Sequence, residues 1–275
     1  MIKDSLGDRM KGNYENRAKT YLTRRMPVIL RLDGKAFHTF TRKFQRPYDE
    51  VFHNAMNSTA KYLCENIQGC KIAYTQSDEI TLLLTDYDTL TTDAWFDYGV
   101  QKMCSVAASM TTAIFNKSFI KNVSQFAATI ERDETMLKQY YDYNEAINKM
   151  AMFDCRCFNI PKEEVTNCFI WRQQDATRNA IQMLGQCNFS TKELHGKSCN
   201  DIQDMLMTQK NINFNDMPIE FKRGICVIKK VEKVAIVSQF DSGKTNDEPI
   251  IRSYWEIDKN IPIFSQDRDY IERVI

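Results

Sequence analysis

Three carboxylates in this 275-residue chain are spaced so that they could hold metal ions. Asp33 ends a short apolar run, residues 26–34, at an Asp-Gly turn signal. Asp78 and Glu79 lie in a polar break, residues 76–79, between two strand-like runs at 71–74 and 80–84. If the first run and that hairpin are neighbours in one sheet, Asp33, Asp78 and Glu79 converge at one edge. With a backbone carbonyl such as that of Gly34 they form an oxygen-only site, which suits Mg²⁺. A pair of such ions promotes nucleotidyl transfer by activating the attacking oxygen and stabilising the leaving phosphate. The alternative is that Asp-Gly and Ser-Asp-Glu are turn residues and no more. Arg31, Lys35, Arg42, Lys43 and Arg46 flank Asp33 and are suited to a triphosphate, although each alone is an ordinary surface cation.

The elements that must position these groups follow from periodicity. Asp4 and Ser5 are cap residues for a helix reaching about residue 22. Val51, Phe52, Ala55, Met56, Thr59, Ala60 and Leu63 recur on one helical face after Asp49. A helix is expected over 93–115 and a strand near 126–130. The tyrosine-rich stretch 131–150 reads as helix, and 152–160 as a strand ended by Pro161, which fits the first turn of a helix carrying 169–184. A further helix is expected over 199–207, with strands at 224–228, 234–237 and 254–257. The first 130 residues thus read β-α-β-β-α-β, an α+β arrangement with a split βαβ antiparallel sheet and covering helices, followed by a C-terminal α/β extension. That order hosts many activities, nucleotide cyclases among them, and implies none alone.

Charge is uneven. Residues 1–46 hold 12 Lys/Arg against 4 Asp/Glu, and residues 47–100 hold 2 against 9. A basic N-terminal block suggests a polyanionic partner, or else a solvated helix face. The composition, 43% hydrophobic and 27% charged, excludes a disordered or collagen-like chain. The charge-free stretch 103–116 is too short for a membrane span, which needs about 20 apolar residues. With no apolar leader in the first residues, a cytoplasmic location is expected. Nine scattered cysteines, without a C-x-x-C pair, read as packed thiols. Asp241-Ser242-Gly243-Lys244-Thr245 mimics the end of a phosphate-binding loop, but the required earlier glycine is Ser238.

Arg31-Leu32-Asp33-Gly34-Lys35-Ala36-Phe37-His38-Thr39-Phe40 resembles the R-L-D-G-R-x-F-H-x-F segment of the tRNA-histidine guanylyltransferase family. Ile72-Ala73-Tyr74-Thr75-Gln76-Ser77-Asp78-Glu79 is similar to its I-A-Y-x-Q-S-D-E segment, and Trp171-Arg172-Gln173-Gln174-Asp175 to its W-R-Q-x-D. Two looser matches follow, at Leu194-His195-Gly196-Lys197 and Phe221-Lys222-Arg223-Gly224. The resemblance implies a polymerase-palm-like catalytic region, residues 1–135. It also implies a C-terminal region, 136–275, packed on it and serving tRNA binding or oligomerisation. It implies two Mg²⁺ ions on Asp33, Gly34 and Asp78 with Glu79 adjacent and catalytic. Nucleotide, ATP or GTP, is implied on Arg31, Asp33, Gly34, Lys35, Ala36, Phe37, His38, Arg46, Ser77, Asp78 and Lys102. Arg24, Arg25, Arg172 and Asn179 are further candidates for tRNA or nucleotide contact, and a homotetramer is implied.

One departure bears on substrate. Family members specific for histidine tRNA continue W-R-Q-x-D with C-H-I-N-N-L-Y-N; here Thr177 takes the histidine position and Asn179 alone keeps the paired asparagines. The chain looks more like the guanylyltransferase-like branch, which repairs 5′-truncated tRNA by templated 3′-5′ addition. The alternatives are a guanylyltransferase dedicated to histidine tRNA and a catalytically inactive RNA-binding palm protein.

Overall fold

The central apolar runs pair as strands because they bury both faces. In β1 (Val28–Gly34), Val28, Leu30 and Leu32 point to one layer and Ile29 to the other, all fully buried. Each such side chain contributes roughly 1.5–3 kcal/mol by leaving water. β2 (Cys70–Gln76) and β3 (Glu79–Leu84) form the expected hairpin, turned by Ser77 at φ 49° and Asp78. β4 (Phe153–Asn159), β5 (Ile225–Val234) and β6 (Ile250–Asp258) complete one antiparallel sheet, ordered β4-β1-β3-β2-β5-β6. The structure, a computed structural model, describes residues 5–131, 133–234 and 250–275. The segment 241–245 that mimics a phosphate loop and most of the strand expected at 234–237 lie outside those residues, as does Asp4.

Helices α1 (Leu6–Asn13), α2 (Phe37–Phe40), α3 (Glu50–Asn66), α4 (Val100–Ala127) and α5 (Glu134–Lys149) belong to the first part of the chain. α6 (Lys162–Asn188), α7 (Thr191–Leu194), α8 (Cys199–Lys210), α9 (Ile219–Arg223) and α10 (Asp269–Glu272) follow. Asp49 caps α3 by accepting from Phe52 N–H. α3 and α4 cover one sheet face around Leu30, Leu82 and Phe115; α6 crosses the other against Ile29, Tyr74 and Leu83. No helix among the described residues is long and apolar enough to cross a membrane.

Two element expectations are corrected. Residues 126–127 are the end of α4, not the start of a strand. Phe115, Phe119 and Val123 are buried at helical spacing, and Phe126 continues that stripe onto Tyr143 of α5, centroids 5.4 Å apart. The fourth strand of the split βαβ unit is therefore β4, beyond α5. α1 stops at Asn13 rather than near residue 22, and buries no side chain that would extend it. The division at 135/136 falls within the sheet: β1–β3 come from one side of it and β4–β6 from the other.

Candidate active site

β1 delivers Asp33 and Gly34 to one end of the sheet, and the register sets Asp33 opposite Glu79. The chain then turns sharply. Ala36 takes φ 55°, and Phe37 drops into an aromatic cluster with Phe40, Phe115 and Phe153 at centroid distances of 5.0, 5.6 and 4.9 Å. A Cβ on residue 34 would lie 2.2 Å from the Phe37 ring, so glycine is what lets this ring anchor the turn. Phe37 is buried as a whole, and its carbonyl accepts from Thr41 N–H at 2.8 Å and from Thr41 Oγ1 at 2.9 Å. Lys35 N–H donates to Met152 O at 2.9 Å, tying the loop to the start of β4.

Loop 34–38, the hairpin 76–78, α6 at Ala176, Asn179 and Met183, and Arg46 enclose a cavity of about 540 Å³. That volume suits a small-molecule ligand of nucleotide size. Ser77, exposed, donates from Oγ to Asp78 Oδ1 at 3.0 Å. His38, also exposed, sits on the cavity wall with Nε2 3.1 Å from Thr39 Oγ1. Arg46 lies against Met183 Sδ at 2.9 Å.

Burial pushes the Asp78 carboxyl up to about 6; the Ser77 hydrogen bond opposes this, and the charges of Asp33 and Glu79 add to it. Asp33, at 42% exposure, remains open beside it. No group of three His, Cys, Asp or Glu side chains closes on one point among the described residues. The donor set is two carboxylates and a backbone carbonyl. It fits Mg²⁺, which keeps several waters and takes its remaining oxygens from substrate phosphates.

Glu79 does not join that set. Its carboxylate turns under α6, where Arg172 Nε donates to Oε1 at 2.7 Å, and both side chains are more than 90% buried. Arg172 Nη2 also donates to Asp175 at 2.8 Å. In this structure Glu79 and Arg172 are held to each other, beneath α6 and away from the Asp33–Asp78 pair.

Three further cations lie elsewhere. Arg24 is bound to Asp86 and Asp97 at 2.6 and 2.9 Å, Arg25 N–H donates to Asp86 at 2.8 Å, and Lys102 stands 5.3 Å over the Phe96 ring. Val28 pairs with Leu84, so this group sits at the far end of β1 and β3, roughly 17 Å along the strand from Asp33.

Two residues near Asp33 escaped the sequence reading. Asp154 and Arg156 on β4 pair with Asp33 and Arg31, and Arg156 Nη2 lies 3.7 Å from Asp33 Oδ2 and 3.5 Å from Asp154 Oδ1. The alternation of Asp154 and Arg156 with Cys155 and Cys157 carried that signal, but only for β4 placed next to β1.

A family profile described as Thg1, tRNAHis guanylyltransferase, matches residues 7–161. A bacterial tRNA(His) guanylyltransferase (Thg1)-like protein solved in complex with ATP is 43% identical, with TM-score 0.78, over 98% of this chain and 99% of that one. A structure with the same description, in complex with GTP, is 39% identical with TM-score 0.70 and the same coverage. The tRNA(His) guanylyltransferase of Saccharomyces cerevisiae is 26% identical over 78% of this chain and 88% of its own. With its palm-like antiparallel sheet and this match over more than half its length, the chain belongs to the tRNAHis guanylyltransferase family of nucleotidyltransferases.

Proposed function

We propose that this chain adds nucleotides in the 3′-5′ direction to the 5′ end of truncated tRNA, with the added base chosen by a template. The observation that carries the reading is that Asp78 lines the cavity walled by loop 34–38, while Asp33 immediately precedes Gly34 on that wall and pairs with Glu79, the neighbour of Asp78. The ATP and GTP held by the two bacterial relatives support a triphosphate there. Loop 34–38 and Ser77 would hold the nucleotide, Arg31 and Arg46 its phosphates, and Asp33, Asp78 and the Gly34 carbonyl two Mg²⁺ ions. When bound, those ions supply Lewis-acid activation of the attacking oxygen and charge neutralisation on the leaving phosphate. Activation joins the tRNA 5′-monophosphate oxygen to the α-phosphorus of ATP and expels pyrophosphate. The 3′-hydroxyl of the incoming nucleotide then attacks the terminal tRNA phosphorus and expels AMP.

Templating is favoured by Thr177, whose small hydroxyl offers neither a ring to stack nor a base-edge pattern to read. The higher identity to the bacterial guanylyltransferase-like protein than to the yeast enzyme points the same way. The test is incubation of 5′-truncated, non-histidine tRNA with all four nucleoside triphosphates and sizing of the 5′ end. The added nucleotide should follow the opposing base, and an anticodon swap should change the rate little. Addition of G whatever the template, or dependence on a histidine anticodon, would select the dedicated enzyme instead; no addition would return the chain to a binding role.

The proposal includes a homotetramer. It is supported by α1, which buries nothing and leaves Leu6 and Met10 exposed at i and i+4, with exposed Tyr14 just after its end. A monomer in sedimentation at micromolar concentration would remove that part.

A further inference from the structure

On the side of Asp33 away from the cavity, the same sheet face carries Trp171 and Arg156, which the reaction as described leaves unused, beside Arg31. Trp171 is 49% exposed on α6, although Phe169, Arg172, Gln173 and Ala176 around it are buried. Its ring has Arg31 Cζ at 5.5 Å and Arg172 Cζ at 4.3 Å. Arg172 is committed to Glu79 and Asp175. The buried Nε of Arg31 has no hydrogen-bond partner among the described residues, so this guanidinium can still donate to a phosphate. Arg156, half exposed, lies opposite Arg31 across the β1–β4 pair and bridges loosely to Asp33 and Asp154.

We propose that Trp171, flanked by Arg31 and Arg156, is the platform on which the 5′-terminal nucleotide of the RNA strand stacks. The inference rests on the nucleotidyltransferase reading above. That reaction brings two substrates to the Asp33–Asp78 edge. The cavity takes the triphosphate, and α3 and α4 close the opposite sheet face, so the RNA end enters along β4. Stacking on an indole is indifferent to base identity, which suits an enzyme that meets different terminal bases. Guanidinium groups beside the ring supply the fork geometry that phosphate oxygens accept. The occupant is a strand end rather than a free nucleotide because the platform has one wall. A free nucleotide needs enclosure, whereas a strand is held by its other phosphates and needs only orientation here. The Asp154 carboxylate lies 3.5 Å from Arg156 and competes with a phosphate for it, so Trp171 makes the cleaner test.

The test uses a hairpin copying a tRNA acceptor stem, with a 5′-monophosphate and its first nucleotide missing. Trp171→Ala should weaken hairpin binding about tenfold or more, the usual cost of losing one base–aromatic stack. Trp171→Phe should restore most of that affinity, and GTP affinity should be unchanged in both. Of the three tryptophans, Trp95 is buried and Trp255 partly so, which leaves Trp171 to dominate acrylamide quenching. The hairpin should protect it and GTP should not. Unchanged hairpin affinity in Trp171→Ala, parallel loss of GTP affinity, or protection by GTP alone would each overturn the platform. Addition by the wild-type chain is scored separately. Its absence overturns the nucleotidyltransferase reading, whereas addition with full RNA affinity in Trp171→Ala overturns the platform only.

Discussion

Arg172→Ala is expected to cost roughly 3–5 kcal/mol of folding stability, because it strips the partner from a buried carboxylate. Glu79 is 9% exposed, and burial already raises its pKa against the pull of Arg172. Without the guanidinium that pKa rises further, so the native state of the variant holds a proton that the unfolded chain releases above its ordinary carboxylate value. Stability of Arg172→Ala should therefore fall as pH rises from about 4 through the neutral range. Chemical denaturation across that range measures it. Glu79→Leu in the Arg172→Leu background should recover most of the loss, since an apolar pair of similar volume avoids both desolvation penalties. An unchanged denaturation midpoint together with weaker tRNA binding would restore Arg172 to the substrate surface.

Asp78→Asn should move activity and stability in opposite directions. Removing one of two carboxylate metal ligands should cost several kcal/mol of transition-state stabilisation, about a thousandfold or more in nucleotide addition. The metal-free variant should nevertheless be more stable than the wild type at pH 7. The folded-state carboxyl titrates at about 6, above its unfolded value near 4. The native state thus binds the proton more tightly, and wild-type stability declines as pH climbs between those values and stays reduced above them. The deficit is roughly 1–3 kcal/mol, since a tenfold difference in proton affinity between the folded and unfolded chains is worth about 1.4 kcal/mol. Thermal unfolding without metal, at pH 4 and pH 7.5, checks it. The wild type should lose ground between the two pH values, and Asp78→Asn should lose less. A variant no more stable than the wild type at pH 7.5 would show that Asp78 is not held in a costly charged state.

What sequence alone determined was local. Asp33-Gly34 and Ser77-Asp78 were legible as turns because the apolar runs beside them are short and bounded by polar residues. The face of α3 and the hairpin β2–β3 followed from periodicity and turn chemistry within about one helix length. Only tertiary structure decided the rest. The stretch 126–130 is apolar enough for strand or helix, and its end of α4 was settled by Phe126 meeting Tyr143 on α5. Glu79 adjoins Asp78 in sequence, yet one sits in the turn and the other on a strand beneath α6. The arginine that claims Glu79 is 93 residues away. Arg24, Lys102 and Arg31 look alike as cations near acidic segments, but antiparallel register puts the first two at one end of the sheet. Asp154 and Arg156 reach Asp33 only because β4 pairs with β1 across more than a hundred intervening residues. Side-chain direction on a strand is a local property. What lies across from that side chain depends on contacts between distant segments, which neither periodicity nor charge count encodes.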